Sequence, residues 1–383
     1  MAQHLAAGRL AMITVGHAGG DVRSDVRISV DASSRRELIV KSTVQSMYGR
    51  SIQQLADNAL ARRGHPALRL EIEDSGALPF ALEARLEAAL DAALGQPASP
   101  SEALGGAPPP RERLRRTRLY VPGNTPKFMP NADLYRPDGI ILDLEDSVPD
   151  LEKTEARYLV VSALRSLDWH GVEKMVRINA NCPEDLEAVG ALAETILIPK
   201  VEDPGDVIDV SEHLERLGSP ALIVPIIESA RGVSRAEAIA SASPRVVGLT
   251  VGLEDYTADL GAQRSEEGLE CLWALSQVVN AARAAGVQPL ASVCPVLDDD
   301  AYLQRYTVRM RALGFEGVGC IHPSQVRVVH HAMTPSEQEV QEAMGVVEAY
   351  EHHGGATRLG MRMIDAPAYV RAKKTLAMAE APK

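Results

Sequence analysis

Apolar positions along the chain fall into two patterns that meet near residue 113. In the first, Val26, Ile28 and Val30 alternate with polar residues, residues 31–36 turn, and 37–41 (ELIVK) run extended, which predicts a β-hairpin. Residues 51–64 place Ile52, Leu55 and Leu60 on one side of a helix that Gly64 stops. Leu68, Leu70 and Ile72 alternate as a third strand, and Leu82, Leu86, Leu90 and Leu94 form the stripe of a closing helix. In the second, short continuous apolar runs recur at 119–121, 139–142, 175–178, 196–198, 221–227, 246–251, 289–293 and 317–321. Helical stretches such as 266–285 lie between them. Runs without polar breaks suit strands buried on both faces of a parallel sheet. Eight of them, alternating with helices, predict an α/β fold closed as a (β/α)8 TIM barrel. An open doubly wound sheet is the alternative, but no GxGxxG follows an early strand, so dinucleotide binding is disfavoured.

Between the two patterns, residues 96–112 collect Pro, Gly, Ala and Ser with little to bury, the composition of a linker. The chain therefore divides into a small α+β unit at 1–95, a linker at 96–112 and a barrel at 113–383 with a C-terminal helical extension.

Composition narrows the function classes. Of the 383 residues 45% are hydrophobic and 24% charged, as in a soluble globular protein. A net charge of −12 without a basic stripe argues against a nucleic-acid partner. Cys182, Cys271, Cys294 and Cys320 have no CxxC spacing, which argues against a disulfide framework or structural zinc and fits a cytoplasmic location. No apolar run approaches the roughly 20 residues of a membrane span. The N-terminal stretch lacks a signal-peptide pattern, so it is expected to belong to the mature protein.

Chemistry concentrates where the predicted strands stop. In order, the ends read Pro122-Gly123-Asn124, Asp143-Leu144-Glu145-Asp146, Arg177 with Asn179, Lys200, Glu228, Glu254-Asp255 and His322-Pro323. Barrel active sites lie at the C-terminal ends of the strands. Polar residues also close buried strands because loops are solvated, so a single such end carries little; the succession points to a functional rim. Glu228 and Asp255 each end a buried run, as two carboxylates on one metal would, although either alone reads as a strand-end ion pair.

The motifs RRTRLYVPGN (115–124), GIILDLEDSV (139–148), VRINA (176–180), LIPKVED (197–203), PIIESARGV (225–233), GLEDYTADLG (252–261) and GFEGVGCIHPSQV (314–326) resemble the citrate lyase β-subunit family of the HpcH/HpaI aldolase group. The resemblance implies a Mg²⁺-dependent carbon–carbon lyase acting beside a thioester. Glu228 and Asp255 match its metal positions, with Glu228 also meeting substrate. Arg177 matches the arginine for the substrate carboxylate and Arg116 is a second candidate. Glu145 and Asp146 are expected to orient metal waters or arginines. Asp365, in GMRMIDAPAYVRA, matches an acid that reaches a neighbouring subunit's site, which implies a homo-oligomer. Relatives often have Asp where this chain has Ala291. His322 before Pro323 reads as structural.

The stretches ELIVKSTVQSMYGRSIQQL and RLEIEDSGALPFALEARLEAAL resemble the citrate lyase acyl carrier (γ) subunit. In that family a Ser just before a Gly-Asp-Val-like strand bears a phosphoribosyl-dephospho-CoA arm. Ser24-Asp25-Val26 aligns to it with one residue missing, making Ser24 the attachment candidate. Gly19-Gly20-Asp21-Val22 aligns without a gap, and Ser24 would then sit inward on a longer strand beside Val22 and Val26. Of three functions the resemblance favours the first. The first is cleavage of a citryl thioester on the chain's own carrier, with an acyl transferase as partner. The second is cleavage of free CoA esters such as citramalyl-CoA or malyl-CoA beside a vestigial carrier. The third is a non-catalytic carrier or docking subunit.

Overall fold

The computed structural model describes residues 12–96, 108–360 and 362–380. The expected linker at 96–112 falls largely on 97–107, outside the described residues.

Strands β1 (Ile13–Val15), β2 (Val26–Ala32), β3 (Glu37–Ser42) and β4 (Leu68–Asp74) form one sheet in the order β1-β2-β4-β3. The expected hairpin of β2 with β3 is not formed. β4 lies between them, antiparallel to β2 and parallel to β3. The reason is the helix α1 (Gln45–Arg62) that joins β3 to β4. A helical crossover returns the chain parallel to the strand it left, and β4, with Leu68, Leu70 and Ile72 buried, fills the centre. Gly64 does stop α1, in the left-handed region at φ 74°. Helix α2 (Pro79–Leu94) covers the sheet with Leu82, Leu86 and Leu90.

All eight expected barrel strands are present. They are β5 (Thr117–Pro122), β6 (Gly139–Asp143), β7 (Glu173–Arg177), β8 (Thr195–Ile198), β9 (Leu222–Ile227), β10 (Gly248–Val251), β11 (Gln288–Val293) and β12 (Val318–Cys320). They pair in parallel, and β12 closes on β5. Two short 3-10 turns, Pro126–Phe128 and Ala132–Tyr135, follow β5 where a helix would stand. The later crossovers carry α3 (Lys153–Ser166), α4 (Pro183–Val189), α5 (Pro204–Arg216), α6 (Ala230–Ser234), α7 (Ala236–Ala240), α8 (Leu253–Leu260), α9 (Leu272–Ala284), α10 (Asp300–Leu313) and α11 (Pro323–Met333). α9 begins later than the 266–285 pattern suggests, after the 3-10 turn Leu269–Cys271. Helix α12 (Glu337–His353), the hairpin β13 (Thr357–Leu359) with β14 (Arg362–Ile364), and α13 (Ala366–Glu380) follow the barrel.

Strand parity sorts the barrel side chains. Ile141, Met175, Leu197, Val224, Ile226 and Leu290 fill the interior, whereas Leu119, Leu142, Val176 and Ile223 pack under the helices. Asp143 continues the inward set of β6 past Ile141, and Glu228 continues that of β9 past Ile226. Two inward acids thus reach the C-terminal rim by the period of two.

Candidate active site

Neighbouring strands are registered Pro122 to Asp143 and Asp143 to Arg177, which brings Asp143 and Arg177 side by side at the rim. Arg177 donates from Nε to Asp143 Oδ1 at 2.6 Å and from Nη2 to Asp143 Oδ2 at 2.8 Å. Its Nη1 lies 2.7 Å from Glu145 Oε2 and 3.4 Å from Asp146 Oδ2. Burial alone would raise the Asp143 carboxyl, but the Arg177 hydrogen bonds overcome it and hold the group below its usual range. The same contacts keep Arg177 charged. Its guanidinium also sits 5.2 Å from the centre of the Tyr120 ring. The fork expected to clamp a substrate carboxylate is therefore taken by Asp143, and Nη1, at the mouth, meets Glu145 and Asp146.

Lys200, at a left-handed φ of 54°, donates from Nζ to Glu145 Oε1 at 2.8 Å. Its backbone N–H donates to Glu228 Oε1 at 2.6 Å. Glu228 is buried, and desolvation, together with Glu145 and Asp255 nearby, pushes its acid up to about 8. Gly252 is required beside it, because a Cβ there would collide with the Glu228 carboxylate. Asp255, in the first turn of α8, lines the same cavity, as does Glu254, which pairs with Arg264. The cavity is about 420 Å³, and Tyr120, Asp143, Asp146, Arg177, Glu228 and Asp255 are in its wall.

Glu228, with Glu145 and Asp255 close enough to help raise its acid, lies in a pocket that a cation would relieve. Glu228 and Asp255 offer only oxygens, which suits a hard divalent ion such as Mg²⁺. Among the described residues no group of three or more His, Cys, Asp or Glu is arranged as a complete metal cage. Magnesium typically takes one or two carboxylates and fills its other positions with water and substrate, so this donor set fits it.

The structure separates the remaining candidates. Arg116 is not at the mouth: it precedes β5 at the opposite end of the barrel and pairs with Asp138 through Nε at 3.0 Å and Nη2 at 2.8 Å. Its expected substrate role is corrected on that geometry, since the strand's length separates it from Arg177. Arg115 is at the same end, bonded to Glu173. Of the three neighbouring arginines only Arg118 points inward, donating to Thr250 Oγ1 at 3.2 Å and to the Ala291 carbonyl at 2.6 Å. It is fully buried and its Nε has no hydrogen-bond partner among the described residues. His322 accepts from the Ser324 N–H as the cap of α11. Asp365 caps α13 through the Ala368 N–H, in the segment beyond the barrel and apart from its own chain's mouth.

At the N-terminal unit, regular strand begins at Val26, so Ser24 does not join an inward strand face. It occupies a half-buried turn at φ 59°, with its N–H donating to the Ser75 carbonyl at 3.0 Å.

Sequence reasoning missed Asp143 as the partner of Arg177, having favoured Glu145 and Asp146. The signal was available in Ile141 and Asp143 sharing parity on β6.

A closed parallel barrel with acids and an arginine around one mouth defines a (β/α)8 enzyme. The pattern described as "HpcH/HpaI aldolase/citrate lyase" matches residues 116–323, and that described as "Malonate decarboxylase delta subunit" matches residues 14–93. The citrate lyase subunit beta of Leuconostoc mesenteroides subsp. cremoris is 36% identical over 286 residues, covering 70% of this chain and 95% of that protein. The mitochondrial citramalyl-CoA lyase of Homo sapiens is 33% identical over 294 residues, covering 70% and 86%. The crystal structure of CitE from Mycobacterium tuberculosis in complex with magnesium, acetoacetate and coenzyme A is 31% identical, with a TM-score of 0.62, covering 70% of this chain and 99% of that one. The chain belongs to the HpcH/HpaI aldolase/citrate lyase family and is a carbon–carbon lyase; its N-terminal part is acyl-carrier-like.

Proposed function

We propose that the protein cleaves a 3-hydroxyacyl thioester by Mg²⁺-dependent retro-Claisen chemistry, with citryl thioester giving acetyl thioester and oxaloacetate as the favoured reaction. The observation that carries this reading is the paired arrangement of Glu228 and Asp255 across the mouth from Arg177. Glu228 and Asp255 would hold Mg²⁺, which supplies a Lewis acid for the oxygen that becomes the ketone of the 2-oxo acid. Arg177 Nη1 faces the substrate carboxylate, and Asp143 fixes the guanidinium so that no reorganisation is needed on binding. Glu145 and Asp146 set the outer edge of that arginine, and Lys200 holds Glu145 in place.

Asp365 would serve the mouth of a neighbouring copy as acid or base. Met363 and Val370, exposed beside it, support a homo-oligomer. Four free cysteines support a cytoplasmic setting. Among the described residues no helix is long and apolar enough to cross a membrane. The division into units at 1–95 and 113–383 joined by 96–112 is part of the same reading.

A second reading, in which the thioester is a free CoA ester such as citramalyl-CoA or malyl-CoA, is favoured by the backbone at Ser24. The arm-bearing motif places its Ser before Gly-Asp-Val. With Asp25-Val26 at the strand start, the left-handed residue Ser24 takes the Gly place and Arg23 the Ser place. Under the first reading Ser24 bears the phosphoribosyl-dephospho-CoA arm and an acyl transferase is the partner. The test is product analysis with Mg²⁺ and synthetic 3-hydroxyacyl thioesters. Release of a 2-oxo acid with acetyl thioester is expected, and absence of any cleavage by metal-loaded protein overturns the proposal.

A further inference from the structure

Helix α2 has two buried faces. Leu82, Leu86 and Leu90 cover the sheet of their own unit, while Phe80, Ala81 and Ala84 belong to the barrel's outer core with Ala156, Leu159 and Val160 of α3. Ser162 Oγ donates to the Phe80 carbonyl at 2.8 Å, and Tyr158 Oη donates to Asp91 Oδ2 at 2.9 Å. Between the two faces lies Arg85, with 0% of its surface exposed. It donates from Nε to Asp25 Oδ1 at 3.2 Å and from Nη2 to Asp25 Oδ2 at 3.0 Å within its own unit. Across the boundary it donates to Glu155 Oε2 at 2.6 Å and to the Asn124 carbonyl at 3.2 Å.

The same Glu155 oxygen accepts the Gly16 N–H at 2.8 Å. Gly16 is left-handed at φ 77°, and a Cβ there would meet the Val26 carbonyl and Arg85. His17 bridges Asp25 at 3.5 Å and Glu152 at 3.7 Å. The corner of the N-terminal unit from Gly16 to Asp25 is thereby seated on the loops that follow β5 and β6. Those loops lead into the mouth, where the Gly123 N–H donates to the Asp143 carbonyl at 2.8 Å.

An acyl carrier that serves two enzymes has to leave one to reach the other. Surfaces between parts that move are mostly polar and modest in area. Here undocking would expose the apolar Phe80 face and strand a buried guanidinium without half its partners, a costly combination. Where the left-handed Ser24 takes the Gly place of the arm-bearing motif, Arg23 stands where the arm's hydroxyl would be.

We propose that the N-terminal unit is a fixed wall beside the barrel mouth, locked by Arg85, and that the lyase is served by a diffusible acyl thioester of the CoA-ester type and not by a travelling arm. This rests on the lyase reading above for its substrate, but not for the lock.

Two measurements separate the parts. Nitroxide labels at Arg69→Cys and Glu212→Cys, both exposed, in a Cys182→Ser background diluted with unlabelled chain, report the distance between unit and barrel by double electron–electron resonance. A single narrow distribution, unchanged by added CoA ester, is expected. Arg85→Met, or the milder Glu155→Gln, should widen it at least about twofold by freeing local motion. A broad or two-peaked distribution in the parent chain overturns the lock whether or not either variant folds. In the second measurement, protein made in a host without an arm-transferring enzyme, and shown unmodified by intact mass, is given citramalyl-CoA and malyl-CoA. Cleavage is expected. If only arm-bearing protein cleaves a thioester, the diffusible-substrate half is overturned. If neither form cleaves any thioester, the lyase reading fails while the distance result still decides the lock.

Discussion

Arg177 and Asp143 stand opposite each other on β7 and β6 and share two hydrogen bonds, at 2.6 and 2.8 Å. The pair commits two nitrogens of the guanidinium to Asp143, while Nη1 meets Glu145 and Asp146 at the mouth. Asp143 is thus the residue that gives Arg177 its direction.

Substituting either member should disable the site without unfolding the barrel. Arg177→Lys loses the planar fork and is expected to cut kcat/KM by about 100-fold or more. Asp143→Asn should fall in the same range, and the double variant should be little worse than the singles, because both act through one contact. Steady-state kinetics with circular dichroism as the folding control checks this; fully additive losses would show that the two act separately.

Glu228→Gln and Asp255→Asn should each weaken Mg²⁺ binding by at least about tenfold, since each replaces a charged oxygen donor with a neutral one. Calorimetric titration with the metal alone is the check. Unchanged affinity in both variants would remove these residues from the metal site.

Asp138, at the other end of the barrel, is set by its neighbours to be acid-sensitive. Burial would raise its carboxyl, but His330, 3.7 Å away, and the hydrogen bonds from Arg116 outweigh this and hold it well below the usual range. A carboxyl depressed in the folded state contributes stability that is present above the unfolded value of about 4 and is lost as pH falls toward the folded value. Denaturant unfolding should therefore show stability decreasing below about pH 4, and Asp138→Asn should flatten that decline. An identical acid limb in both proteins would contradict the assignment.

Arg118 is a charge inside the barrel with no carboxylate partner among the described residues. Burying a charge without an opposite partner is costly, and an apolar side chain of similar length removes that cost. Arg118→Met should accordingly keep or raise the melting temperature. A marked drop in Tm would show that the guanidinium is holding β5, β10 and β11 together.

Asp365 tests the shared site. Mixing chains carrying Asp365→Ala with chains carrying Glu228→Ala should recover part of the activity, because some mouths then have both intact halves. Demonstrated subunit exchange without any recovery would place Asp365 outside the chemistry.

Much of this architecture was legible in the linear chain because it depends on short-range periods. Continuous apolar runs marked all eight barrel strands, and the acid following 221–227 lies at the mouth because Glu228 keeps the inward parity of Val224 and Ile226. The stop at Gly64 and the Leu82–Leu86–Leu90 stripe were equally local. What lay beyond the sequence was the choice of partner across space. A six-residue turn at 31–36 suggested that β2 and β3 pair, yet β4 separates them, since strand pairing is settled by the crossover helix and by burial of the whole sheet. Three adjacent arginines carry the same charge, but register puts Arg115 and Arg116 at the far end of the barrel and Arg118 inside it. The link from Arg85 to Asp25, Glu155 and Asn124 joins residues distant along the chain, so no local pattern announces it. Residue type and spacing determined which side chains could do chemistry; only tertiary packing decided which of them face one another, because a hydrogen bond depends on distances that sequence separation does not encode.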